Sequence, residues 1–173
     1  GVLVAIAEER GINQDDLSVA LLVAGAIGMV IASRASLSGA EGGCQAECGS
    51  AAAMAAGAVV DLLGGSPDQV GHAAALALKN LLGLVCDPVA GLVEVPCVKR
   101  NAGAAIIALL AADMALAGIK SVIPIDEVID AMATVGRAMN ADLRETGLGG
   151  LAATPTGLEC PERIFGAKNH PLE

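Results

Sequence analysis

Helical spacing of the apolar residues and a near absence of aromatic ones predict an all-α protein, a compact multi-helix bundle with irregular, cysteine-bearing loops. Every long segment carries a helical period and none alternates with the period of a strand. Hydrophobic residues make up 54% of the 173-residue chain, yet aromatics only 1%. The core must therefore be filled by Ala, Leu, Val, Ile and Gly, whose small side chains let helix backbones approach closely. A sandwich or barrel would draw more heavily on aromatic and β-branched residues. The length suits one domain with one core.

The chain starts Gly-Val and runs straight into VLVAIAEER. This reads as the end of a helix, and the expectation is a part of a longer polypeptide. Asn13 to Asp16 supply a cap and the acidic first turn that suits a helix dipole, so a helix is expected from about 14 to 35. The run LSGAEGG (37–43) breaks it. A second helix is expected from near Cys44 to Leu63. GGSPD then gives a stop, a cap at Ser66 and Pro67 at the first helical position of a third, 67–82. Asp87 precedes Pro88 and is pushed out of helical geometry, which makes 84–98 a long irregular loop. A fourth helix is expected over 99–117 and a fifth over 125–145. Residues 1–150 are thus read as the helical domain. The Gly-, Pro- and Thr-rich stretch 151–173 is read as an irregular tail lying on the surface or reaching into a site.

Charge narrows the function. A net charge of −9 argues against nucleic acid and against an anionic membrane surface. The apolar run 17–32 is shorter than the roughly 20 residues a membrane span needs and has no aromatic belt. It is read as a buried central helix, with no membrane partner. The odd count of five cysteines, at 44, 48, 86, 97 and 160, argues for free or metal-bound thiols in a reducing cytoplasm.

Three of these cysteines stand at expected helix termini. Cys44 follows Gly42-Gly43 at a helix start, where unpaired N–H groups favour a thiolate. Cys86 follows a helix end, and Cys97 precedes a start. Cys48, one turn past Cys44 in an alanine run, reads as a small buried apolar residue. A zinc site usually shows paired short spacings, which Cys86 and Cys97 lack. An iron–sulfur cluster accepts dispersed ligands. With three protein thiolates one iron keeps an open position, which suits Lewis-acid catalysis. The competing reading is three unrelated buried thiols.

The stretches SGAEGGCQAECGSAAAMAAGAVVDLLGG, LGLVCDPVAGLVEVPCVKRN and GLGGLAATPTG resemble the α region of iron–sulfur-dependent L-serine dehydratases, and the similarity runs from about residue 17 to 157. The resemblance implies deamination of L-serine to pyruvate and ammonia on a [4Fe–4S] cluster. It puts the cluster ligands at Cys44, Cys86 and Cys97. It also implies an oligomer and a β subunit or β domain that helps hold the substrate carboxylate. Some members use a C-terminal cysteine as a further ligand. Cys160 is not terminal, and it is read as a bystander.

The base that takes the α-proton stays open among Glu41, Glu47 and Asp87, each of which could equally be a helix-terminus charge. Lys99, Arg100 and Asn101 open a helix beside Cys97. Cations there oppose the dipole, so they are read as binding an anionic substrate or cluster sulfides, with Arg100 and Asn101 taken as site residues. His72 is read as structural. Two other activities on the same cluster, on L-cysteine or L-threonine, remain open. So do a non-catalytic zinc-stapled helical module and a membrane bundle.

Overall fold

The alanine-rich run after the first cysteines forms the hub of the bundle. The computed structural model describes residues 1–166. Its central helix is α4 (Ser50–Leu62), where Ala52, Ala53, Ala56, Gly57, Ala58, Val59 and Val60 are all buried. Around it pack α1 (Val2–Arg10), α2 (Gln14–Arg34), α5 (Pro67–Lys79) and α6 (Cys97–Leu116). Helix α7 (Ile125–Ala138) closes the far side against α2 and α5. Small residues on α4 allow these neighbours to come close, as the ring-poor composition required. A second buried cluster joins Ile31, Leu78, Ile129 and Met132 across α2, α5 and α7. Among the described residues there is no strand, only an isolated bridge between Cys86 and Arg144.

The cap signals work as the sequence suggests. The Asn13 side chain accepts from Asp16 N at 2.9 Å. Ser66 and Gln69 form a reciprocal capping box, which satisfies two otherwise orphaned donors. Gln69 does more: its Nε2 donates to Ala115 O at 3.0 Å and ties the start of α5 to the end of α6.

Several boundaries differ from expectation. The helix expected from Cys44 onward is preceded by a short turn, α3 (Gly39–Gly42), and enters through a π-helical turn over Gln45–Gly49. Helix α5 ends at Lys79 rather than 82, because Asn80 turns its Nδ2 back onto Leu76 O at 2.8 Å. Helix α6 begins at Cys97 itself rather than at 99. Helix α7 stops at Ala138, since Asn140 caps a separate 3-10 turn over Ala141–Leu143 instead. The loop 84–96 is irregular apart from a 3-10 turn at Val89–Gly91.

The largest correction concerns the tail. Residues 151–166 are not irregular: α8 runs over Pro155–Phe165 and packs against the 89–91 turn. The signal was present, a capping Thr154 followed by Pro155, the same start that Ser66-Pro67 gives α5. Glycine and proline content hid it. The remainder of the tail, 167–173, lies outside the described residues.

Helix α2 is not the central helix either. It spans 21 residues, and its most apolar stretch has a mean hydropathy of 2.0 with 22% of it buried. It is the one helix among the described residues long and apolar enough to cross a membrane by length and composition. A narrow stripe, Ala20, Ala24, Gly28 and Ile31, meets the bundle. Leu22 and Met29 stand 73% and 70% exposed on the other side.

Candidate metal centre

Close approach of two chain segments builds the site. Gly43 adopts φ +75°, and a Cβ there would stand 2.6 Å from Met139 Sδ and 2.9 Å from Leu84 O. Only glycine lets the chain pass so near the 84–86 segment. The π turn follows at once. Its wider coil turns Gln45 fully inward, where Nε2 donates to Met132 O at 3.1 Å and Oε1 accepts from Gly83 N at 2.9 Å. Gln45 N also donates to Leu84 O at 2.9 Å. These bonds join the entry of α4 to α7 and to the loop that carries Cys86. Local π geometry often marks functional positions.

The result is convergence of thiols. Cys44, Cys48, Cys86 and Cys97 all line one cavity of about 650 Å³. Glu47, Asn101 and Glu145 line it too. The sulfurs of Cys44 and Cys86 and a carboxylate oxygen of Glu47 lie within 4.8 Å of one another. Cys44 Sγ stands 3.8 Å from Glu47 Oε2, while Glu47 Oε1 accepts from Gly39 N at 3.2 Å. Cys48 is buried as the sequence suggests, but it faces the same cavity and donates to Asn101 Oδ1 at 3.2 Å.

Without a cation these thiols resist ionisation. The Cys44 thiol is pushed up, first because it donates to Cys48 and then by burial. Burial, with Cys44 and Glu47 nearby, pushes Cys86 up to about 12. Burial also raises Cys97. Only Cys48 is lowered, by the hydrogen bond it receives from Cys44. The thiolate expected at Cys44 from the helix dipole is opposed by the hydrogen bond to Cys48 and by burial. An unfolded chain ionises Cys86 near 9.0, the native metal-free form near 12. The native state then holds more protons in that window, so stability falls as pH rises through it. The melting temperature of metal-free protein is expected to drop steadily above pH 9; a flat profile would contradict the buried-thiol picture.

A buried ion pair braces the cavity wall. Asp87, 2% exposed, accepts from Arg100 Nη1 at 2.6 Å and from Leu151 N at 2.7 Å. Arg100 Nη1 also donates to Val85 O at 2.8 Å. Gly150, at φ +62°, leaves room that a Cβ would take from the Asp87 carboxylate. The GLGG segment is thereby strapped against the Cys86 loop. Cys86 N donates to Leu143 O and Glu145 N to Cys86 O, both at 2.8 Å.

Not every residue singled out from the sequence comes here. Glu41 faces a different cavity beside Arg34 and accepts from Ser36 Oγ at 2.5 Å. Lys99 points its Nζ to Glu94 O at 3.2 Å. His72 accepts from Ser121 N at 3.3 Å and sits 3.4 Å from Asp68, a structural position. Cys160, on α8, does not line the thiol cavity. Glu145 was missed. It holds φ +68°, a left-handed conformation for a residue with a side chain, of a kind that clusters at functional sites. The sole cue in the sequence is an acid just ahead of GLGG.

A sequence model of the family described as serine dehydratase alpha chain matches residues 1–152. The chain belongs to the serine dehydratase alpha chain family. Among the relatives of this alpha-chain sequence is the probable L-serine dehydratase, alpha chain, of Bacillus subtilis (strain 168). It is 61% identical over 166 residues, covering 96% of this chain and 55% of that protein. The L-serine dehydratase, alpha chain, of Peptoniphilus asaccharolyticus is 53% identical over 156 residues, 90% of this chain and 53% of the relative. L-serine dehydratase 2 of Escherichia coli (strain K12) is 51% identical over 144 residues, covering 83% and 32% respectively. The chain thus spans about half the length of these two alpha chains and about a third of the E. coli protein.

Proposed function

We propose that this chain is the cluster-bearing part of an enzyme that deaminates L-serine to pyruvate and ammonia, with Cys44, Cys86 and Cys97 holding a [4Fe–4S] cluster. One observation carries the reading: three thiols from separate chain turns, plus a fourth, open onto a single cavity roomier than one ion needs. The donor set is sulfur-rich, as such a cluster requires. When bound, the cluster supplies a Lewis-acidic iron that makes the substrate hydroxyl a better leaving group.

The chain's own residues have separable tasks. Arg100 ties the start of α6 to the 85–87 loop. Asn101 accepts from Cys48 through Oδ1, which leaves its Nδ2 to donate to an anionic substrate. The α-proton needs a carboxylate with nothing else to do. Asp87 is committed to Arg100 and Leu151, and Glu41 is elsewhere. Glu47 is tethered by Gly39 N. Glu145 lines the cavity with no side-chain hydrogen bond among the described residues, and we assign it the proton. The 2-aminoacrylate left by elimination tautomerises and hydrolyses in water without further help. A Glu145→Gln variant is expected to keep its iron and lose about 10²–10⁴-fold in kcat, the usual worth of a positioned base. An unchanged kcat would move the role to Glu47.

The exposed apolar side of α2 supports a partner, as patches of this kind commonly mark interfaces. A β subunit or domain, and an oligomer, would cover it. The deciding experiment is anaerobic purification with iron and sulfide analysis, then a pyruvate assay on L-serine with and without the β portion. Brown protein with iron, sulfide and serine turnover is expected. Colourless protein holding zinc and no sulfide would overturn the proposal.

A further inference from the structure

The four thiols of the cavity are not equivalent. Cys44 and Cys86 form a tight corner with Glu47, all three donor atoms within 4.8 Å of one another. Cys97, which starts α6, lines the cavity outside that corner. Tetrahedral bonds of about 2.0–2.3 Å put neighbouring ligand atoms about 3.3–3.8 Å apart. The Cys44 sulfur and Glu47 Oε2 already stand at 3.8 Å.

The corner is also built rather than accidental. Both sulfurs are buried. Glu47 is aimed by its other oxygen, which accepts from Gly39 N. Such support of a ligating carboxylate is the usual outer-shell arrangement. Gly39 itself belongs to the cradle. A Cβ there would stand 2.9 Å from Glu47 Oε1 and 3.1 Å from the Cys86 sulfur. The side open to the cavity leaves one coordination position for water or another exchangeable ligand.

The geometry points to Cys44, Glu47 and Cys86 as a self-sufficient site for a single thiophilic divalent cation, ferrous iron or zinc, that forms without Cys97. It shares two ligands with the proposed cluster but does not depend on that cluster's existence. The site would capture one ion in cluster-free protein. Binding releases the two thiol protons to solvent and involves no redox change. Zinc in this corner would then compete with iron–sulfur loading.

Cobalt(II) is the probe, titrated anaerobically into the cluster-free full-length protein. One equivalent is expected to bind, with a sulfur-to-cobalt charge-transfer band. Cys86→Ser should roughly halve the band, and Glu47→Gln should weaken binding about tenfold or more, as loss of a metal-site partner does. Cys97→Ser should leave affinity and band unchanged. Helical circular dichroism checks that each variant is folded, and the wild-type and Cys97→Ser results decide the question even if Cys86→Ser is not. No charge-transfer band in the wild type, or its loss in folded Cys97→Ser, would overturn the assignment. Iron and sulfide reconstitution run in parallel keeps the two proposals apart. Cobalt binding without any cluster would sink only the cluster, and a cluster without single-ion binding would sink only this site.

Discussion

Cys86→Ala, and equally Cys97→Ala, is expected to bring serine turnover to background and cluster iron close to zero. Removing either thiol leaves two ligands from the proposed set, and a cluster held at three of its irons loses one of its anchors. Losing Lewis-acid assistance of about 5 kcal/mol alone corresponds to a rate loss of about 10³–10⁴-fold. Cys48→Ala is the contrast. Its sulfur faces the cavity and touches Asn101 and Cys44, but it is not one of the proposed ligands, so iron, sulfide and most of the turnover should remain. The measurement is iron and acid-labile sulfide per chain beside pyruvate formation, all under nitrogen. Iron and sulfide both lost from Cys48→Ala and both retained in Cys97→Ala would reverse the ligand assignment.

Much of this architecture was readable from residues, and the failures have physical causes. Caps at Asn13 and Ser66 are local, since side chain and backbone lie within one turn; Thr154 gives the same signal, masked by the glycine and proline around it. The all-α class follows from period and composition. Which helix is central was not local. The segment 17–32 is more apolar than the start of α4, yet α4 carries the buried alanines on all sides. Burial there depends on where neighbours stand, and no single-helix pattern reports it. The thiols at 44, 86 and 97 were drawn together by helix-terminus reasoning and by resemblance. Cys48 was set aside because a straight α-helical turn in an alanine run suggests packing, and the π turn over Gln45–Gly49 was not anticipated. Glu145 lies far in sequence from every cysteine that lines the cavity. It reaches the cavity only because Cys86 and residues 143–145 pair through their backbones. Asp87 and Arg100 stand beside cysteines in the sequence and are read there as a candidate base and a candidate anion binder. Their hydrogen bonds make them a brace.

That brace sets the second large effect. Arg100→Ala is expected to destabilise the fold by about 3–5 kcal/mol, the cost of leaving one member of a buried pair uncompensated. Asp87 would keep Leu151 N as a partner but lose its cation at 2% exposure. At about 2–4 °C per kcal/mol for a chain of this length, the melting temperature should fall by roughly 10 °C. Arg100→Lys should recover only part of this. One guanidinium reaches Val85 O and Asp87 Oδ1 together, and an ammonium on a flexible stem lacks that fixed geometry. Asp87→Asn should be milder than Arg100→Ala. Its amide oxygen can still accept from Arg100 or Leu151, and the charge left without its counter-ion is Arg100, the more exposed partner at 19% against 2%. The same substitutions should loosen the GLGG segment, because Leu151 N and the Gly150 contact both depend on a fixed Asp87 carboxylate. Hydrogen exchange at 147–152 reads this separately from global stability. Faster exchange there in Asp87→Asn, with α4 still protected, is the expected signature. Wild-type stability in Arg100→Ala would mean that the pair only balances its own desolvation and that the strap is held by packing.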